Sequence, residues 1–498
     1  MSTTEDAPRS ARVATGVPGL DAILHGGLFE RSSTLVFGPS GAGKTILGNQ
    51  IVFHHVRQGG RAVYITLLTE THGRMLDYLR TLSFFDDKFI PDQLSFIGGY
   101  QHLIKEGMAN FLHVIHKETH ERGATMLVLD GIAVIEALTG STLEFQKFIQ
   151  QLSALVAAAG CTLLLLANSQ QDRTFVEHGM VDSVMEVSYR FVGVRSIRQL
   201  AITKLRGSDF IQGRHTFRIT SDGIVVFPRL EAMVSQANLV SGERRTRKQF
   251  GIARLDEMLE GGVNTGSTTA LLGAPGAGKT LLGVNFLATG GAAGERGLYF
   301  GFYESPPRLI AKADAIGLNF SKLMQEGLLD VVWQAPVERF LDELAHQLLD
   351  IVRQRRVERV FIDGIDGFLR AAMLPERLPA FFTALCNELR FLGVTTLFSE
   401  ELELFQEDID APIAGMSAMV ENLILLRYVE YRAHLHRLIS ILKMRESGYD
   451  SALREFTISR TGIDVAETFH SAEAVLTGRA RAASIVSGRS SGRSRRKP

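Results

Sequence analysis

Apolar residues in this chain gather into short runs of strand length. In the first half these runs are Thr34–Phe37, Arg61–Leu67, Thr125–Leu129 and Thr162–Ala167, separated by segments long enough for helices. They show no clean alternation of apolar and polar positions, which suits strands covered on both faces, as in a parallel sheet flanked by helices. A glycine-rich segment follows the first run, and the spacing predicts a helix from about Lys44. The order is then strand, glycine loop, helix, strand, helix, strand, helix, strand, which is an α/β domain.

The pattern is written twice. "GVPGLDAILHGGL" (Gly16–Leu28) precedes "GPSGAGKT" (Gly38–Thr45), and "GIARLDEMLEGGV" (Gly251–Val263) precedes "GAPGAGKT" (Gly273–Thr280). Gly16 and Gly251, Gly26 and Gly261, and Lys44 and Lys279 are each 235 residues apart. Further on, "AVYITLLTET" answers "GLYFGFYES", "TMLVLDG" answers "RVFIDG", and "ITKLRG" answers "ILKMRE". A repeat of this size is a duplicated domain, not a solenoid unit. The expected divisions are a flexible start at 1–11, a first domain at 12–234, a polar linker at 235–249, a second domain at 250–475, and a disordered tail at 476–498. The tail, rich in Arg, Ser and Gly, has the composition of a solvated segment.

Composition narrows the function classes. Lys plus Arg equals Asp plus Glu at 54 each, so no net basic field draws nucleic acid or an acidic membrane. The basic tail is the one segment suited to nucleic acid. Cys161 and Cys386 have neither disulfide nor metal spacing, as expected of buried thiols in a reducing compartment. The N-terminus lacks an apolar signal core, and no apolar run approaches the ~20 residues of a membrane span. The expected compartment is the cytoplasm, with no membrane association.

The candidate chemistry is phosphate binding. In Gly-x-x-x-x-Gly-Lys-Thr, the glycines Gly38, Gly41 and Gly43, and again Gly273, Gly276 and Gly278, let backbone amides converge on phosphate oxygens. Lys44 and Lys279 would reach the outer phosphates, and Thr45 and Thr280 would hold Mg²⁺. Asp130 and Asp363, each ending an apolar run, are the matched second metal ligands. A local reading leaves each of them available as a helix N-cap, and placement at the same point of both repeats favours the metal. Glu70 and Glu304, each after the second strand of its repeat, are the candidate catalytic carboxylates that orient or deprotonate a nucleophile.

This order of elements resembles the KaiC family, the two-domain members of the RecA-like ATPases, over about residues 12–475. The duplicated "GLDxxLxGG"-like lead-in and the segment Leu423–Ser459 carry most of the likeness. The resemblance implies two tandem RecA-like P-loop domains, ATP and Mg²⁺ as cofactors, a homohexameric ring, and regulatory protein partners. It further implies that Lys204 and Arg206, and Lys443 and Arg445, reach the phosphate bound by a neighbouring chain, the logic of an arginine finger. The clock proteins of that family carry two adjacent glutamates after the second strand. Here Thr69 and Tyr303 stand at the first of those positions. They also carry adjacent Ser and Thr phosphoacceptors, where this chain has Ser417 and Ala418. Only a one-site autophosphorylation on Ser417 is then expected. Ile316 stands where the family stacks a Trp near the adenine. The expected activity is ATP hydrolysis with serine autokinase chemistry in the second domain. A DNA-dependent ATPase and a non-catalytic ATP-gated scaffold use the same core and stay open at this point.

Overall fold

The computed structural model describes residues 11–67, 72–168, 179–233, 246–335, 338–402, 419–431, 434–459 and 462–466. The chain divides into two compact units, Met1–Met233 and Val234–Pro498.

Each unit is built on one nine-stranded sheet. In the first, the strands from edge to edge are Gly223–Phe227, His215–Thr220, Arg195–Leu205, Ser183–Val192, Ser33–Gly38, Thr162–Asn168, Met126–Asp130, Ala62–Thr66 and Leu94–Gly98. In the second the same order is Gly462–Val465, Arg454–Ser459, His434–Met444, Asn422–Tyr431, Thr268–Gly273, Thr395–Glu401, Arg359–Asp363, Gly297–Gly301 and Leu329–Trp333. The strand leading into the glycine loop is central in both. The chain enters it, jumps three places to one side, and later returns to its other side. Such a crossover opens a crevice at the carboxyl ends of the strands.

The missing alternation now has a physical cause. Tyr64, Val128, Leu164 and Leu166 face one core cluster together with Leu47 and Ile51 of the helix Lys44–Arg57. Their strand neighbours Val63, Ile65, Leu127, Leu129, Leu163 and Leu165 face a second cluster with Phe145, Ile149 and Leu152 of the helix Thr142–Ala158. Both faces are apolar because both are covered.

Each sheet also has a part that apolar runs did not reveal. Beyond Ser183–Val192 and beyond Asn422–Tyr431, the remaining strands pair antiparallel. In the first unit two of their connections are tight turns, at Gly193–Val194 and Ser221–Asp222, with Gly193 at φ 58 and Gly223 at φ 99. Charged residues such as Arg190, Arg195 and Arg198 interrupt their hydrophobic pattern.

The end of the expected linker is also structured. Arg247 and Lys248 pair antiparallel with Val263 and Asn264, as Arg12 and Val13 pair with Leu28 and Phe29. Lys248 is buried because its ammonium donates to Glu295 Oε1 at 2.5 Å and to Glu358 Oε2 at 3.3 Å. Arg359 donates to the other Glu295 oxygen and to the carbonyls of Gln249 and Phe286. A polar, charged segment therefore reads as a linker until its partners are in place.

The helix after each glycine loop lies close on the sheet. In the second unit a methyl group at Gly283 would stand 2.2 Å from Cε1 of Phe361, a fully buried strand residue. Alanine's helix propensity returns about 1 kcal/mol, but overpacking a filled core costs ~1–3 kcal/mol. Gly283→Ala is therefore expected to destabilise the second unit by up to about 2 kcal/mol net, read as a lower urea midpoint of that unit's transition.

Candidate functional site

Each loop leaves the carboxyl end of the central strand. At Gly38 an added Cβ would lie 1.8 Å from the Val187 carbonyl oxygen, so that position must be bare for the next strand to pair. Gly43 and Gly278 take φ values of 105 and 109 at the start of the following helices, a left-handed turn that favours glycine. The loop then wraps its own lysine. Lys44 Nζ donates to the carbonyls of Gly38 and Pro39, both at 2.8 Å. Lys279 Nζ donates to Gly273 O at 2.7 Å and Ala274 O at 2.9 Å. Burial pushes the Lys44 ammonium down to about 8, against the pull of Asp130. Burial lowers Lys279 too, and there three acids oppose it: Glu401 most strongly, then Asp363 and Asp366. A partly desolvated cation beside a helix N-terminus is an anion site.

The strand-end aspartates complete the cluster. Thr45 Oγ1 donates to Asp130 Oδ2 at 3.0 Å, and the Tyr64 hydroxyl donates to the same oxygen at 2.8 Å. In the second unit Thr280 donates to Asp363 at 3.0 and 3.2 Å, Tyr299 at 2.8 Å, and Ser399 at 2.7 Å. Burial raises the Asp363 carboxyl, while the hydroxyls of Ser399, Tyr299 and Thr280 hold it back. Hydroxyl and carboxylate oxygens are hard donors. They fit a small divalent cation that draws its remaining ligands from phosphate and water. Among the described residues no group of three or more His, Cys, Asp or Glu forms an all-protein metal cage.

Sequence reasoning found Thr45, Asp130, Thr280 and Asp363 and missed the tyrosines. The signal was present, since Tyr64 and Tyr299 are also 235 residues apart.

The second site opens into a cleft of about 780 Å³ lined by Lys279, Thr280, Tyr303, Glu304, Asp363 and Glu401, among others. Glu304 lines it, but its carboxylate is paired with Lys312 Nζ at 2.5 Å. Tyr303 is 52% exposed, with the Arg370 guanidinium 5.7 Å from its ring centre. The apolar wall includes Leu281, Val284, Leu309 and Ile458. Ile316, expected near the base, instead ends the helix Pro306–Ala315 and is not among the lining residues.

The two sites differ at the end of one strand. Gly38 pairs in register with Asn168, and Gly273 with Glu401. One residue earlier, Ala167 in the first unit corresponds to Glu400 in the second. Glu400 is 1% exposed and neither carboxylate oxygen has a hydrogen-bond partner. Burial, reinforced by Asp366, pushes its carboxyl up to about 8. A scan for phosphate-loop motifs passes over these acids, although "FSEE" against "LLAN" marks them.

Glu70 and Ser417 lie outside the described residues. Lys204 Nζ donates to Val181 O at 2.6 Å, and Arg206 lies 3.6 Å from Asp182. Lys443 Nζ donates to Val420 O at 2.8 Å. Lys443 and Arg445 do not line the cleft of their own domain. Lys204 and Lys443 hold matched register positions, opposite Val184 and Leu423, each next to a bulge.

A glycine loop on the central strand, with its partner aspartate one strand removed, defines a P-loop nucleoside triphosphatase of the RecA-like class, present here twice. A family model described as "ATPase: KaiC" matches residues 13–231 and again 249–469. The chain belongs to the KaiC ATPase family. It is 26% identical over 480 residues to the circadian clock oscillator protein KaiC of Picosynechococcus sp., covering 94% of this chain and 92% of that protein. It is 26% identical over 486 residues to the KaiC of Synechococcus elongatus, covering 94% and 91%. With the KaiC of Acaryochloris marina it shares 27% over 480 residues, covering 94% and 91%. Among the described residues no helix is long and apolar enough to cross a membrane.

Glu400 makes the second unit's stability depend on pH. Its folded carboxyl titrates near 8, whereas an unfolded Glu titrates at about 4.3. The folded state therefore holds the extra proton between those values, and stability falls as pH rises through that window. At about 1.4 kcal/mol per pH unit of difference, the loss is a few kcal/mol. Glu400→Gln carries no such proton. Its urea stability is expected to change much less than wild type between about pH 5 and pH 8. Equal slopes in the two proteins would refute this account of the buried acid.

Proposed function

We propose that both domains bind Mg-ATP, that the chain hydrolyses it as a self-assembled ring, and that the second domain transfers phosphate to Ser417. The observation that carries the reading is the repeated cluster of lysine, threonine and strand-end aspartate, closed in both domains by the same hydrogen bond. Loop amides and Lys44 or Lys279 would bind the outer phosphates. Thr45 with Asp130, and Thr280 with Asp363, would hold Mg²⁺, which neutralises charge as the terminal phosphate departs. Lys204, Arg206, Lys443 and Arg445 are the cations a neighbouring chain would supply. The matched register of Lys204 and Lys443 supports the same part for each in its own domain. Glu70 is the proposed carboxylate beside the attacking group in the first domain, and the cytoplasm is the proposed compartment. The KaiC proteins named above, as clock oscillator proteins, favour regulation as the purpose of turnover.

Replacing both Lys44 and Lys279 with Ala is expected to lower steady ATP hydrolysis by at least ~100-fold, the scale of removing a preorganised charge clamp. Lys44→Ala alone is expected to weaken both turnover and assembly, the latter read by light scattering after gel filtration. Turnover that survives the double substitution would refute the mechanism.

Incubation with Mg-ATP followed by phosphopeptide mass analysis is expected to place one phosphate on Ser417 and none in Ser417→Ala. A phosphate persisting in Ser417→Ala would move the acceptor elsewhere.

A further inference from the structure

We infer that Glu401, not Glu304, is the carboxylate that activates the attacking water in the second domain. The inference rests on the hydrolytic reading above and sharpens it at one site.

Glu401 ends the strand Thr395–Glu401 and pairs in register with Gly273, the first residue of the glycine loop. It therefore stands level with the mouth of that loop. Side chains alternate along a strand, so Glu401 shares a face with Ser399, whose hydroxyl holds Asp363. It lines the same cleft as Lys279, Thr280 and Asp363. Its charge is the strongest acidic influence on the Lys279 ammonium, ahead of Asp363. The lysine marks where the outer phosphates lie. A carboxylate lining the same cleft, at the solvent-facing end of a strand, can meet a water approaching the terminal phosphorus.

Glu304 is placed less well. It also lines the cleft, yet its carboxylate is only 16% exposed and is held by Lys312 at 2.5 Å. A carboxylate oxygen held by an ammonium is not open to accept a proton from water. The residue before it is Tyr303, which offers no carboxylate. The first domain has Asn168 at the register position of Glu401, so this carboxylate belongs to the second site alone.

In the step, a water oxygen forms a bond to the terminal phosphorus of ATP while one water proton passes to the Glu401 carboxylate. The bond from that phosphorus to the bridging oxygen breaks. ADP leaves with the electron pair, and inorganic phosphate is the second product. No further reactant is needed.

The test uses the full chain carrying Glu70→Gln, which removes the proposed first-domain carboxylate and leaves Lys44 and its loop to bind nucleotide for assembly, so that hydrolysis reports on the second domain. In that background Glu401→Gln is expected to lower kcat ~100-fold, within the range for loss of a general base. Binding of a fluorescent ATP analogue is expected to change less than about threefold, because the loop and lysine are untouched. Nucleotide recovered from the acid-quenched Glu401→Gln protein is expected to be ATP, and that from the parent a mixture of ATP and ADP. Glu401→Asp is expected to restore part of the rate, and Glu304→Gln to cost less than Glu401→Gln. Hydrolysis within about fivefold of the parent in Glu401→Gln would overturn the assignment, since a base is worth at least ~100-fold. A larger loss in Glu304→Gln would overturn it too. In either case the hydrolytic reading would stand. Absence of turnover from every form, wild type included, would overturn both.

Discussion

Both halves of this molecule turn on one hydrogen bond, from the threonine that follows the loop lysine to the aspartate ending a buried strand. It joins Thr45 to Asp130 and Thr280 to Asp363. The bond exists only if two strands that are not neighbours end at the same height, and parallel pairing through the strand between them sets that height. A slip of one residue would turn each aspartate to the opposite face of its sheet. The catalytic geometry is therefore a consequence of register, and register is held by apolar clusters on both sheet faces. Tyr64 and Tyr299 brace the aspartate from beneath, where burial has removed the water that would otherwise solvate it.

Against that common frame the two sites have diverged in charge. At matched positions the first has Ala133, Ala167 and Asn168, and the second has Asp366, Glu400 and Glu401. The cost of the change is visible in Glu400, a carboxyl buried without a partner. Its neighbour Glu401 lines the cleft. Acids at this density strengthen the local field on Lys279 and would favour a cation among them, in keeping with a site built around a metal-bound polyphosphate.

Much of this was legible from the chain alone. The duplication, the loops, both strand-end aspartates and the α/β class follow from local signals: a fixed motif, a fixed offset, and apolar runs without alternation. The tyrosines followed the same offset but carry no motif, so a hydroxyl in an apolar run reads as core. The antiparallel strands were hidden because their exposed faces carry arginines, which break any apolar run. Lys248 reads as linker for the same reason, since its two glutamate partners lie 47 and 110 residues away.

A linear pattern therefore sufficed for everything whose cause is local, including the glycines that bare the loop backbone and the apolar residues that bury a strand on two faces. It could not show that Glu304 pairs with Lys312, in the last turn of the next helix, while Glu401 lines one cleft with the lysine of a loop 122 residues earlier. Charge acts through distance in space, and folding alone sets which of the cleft's carboxylates an ammonium holds.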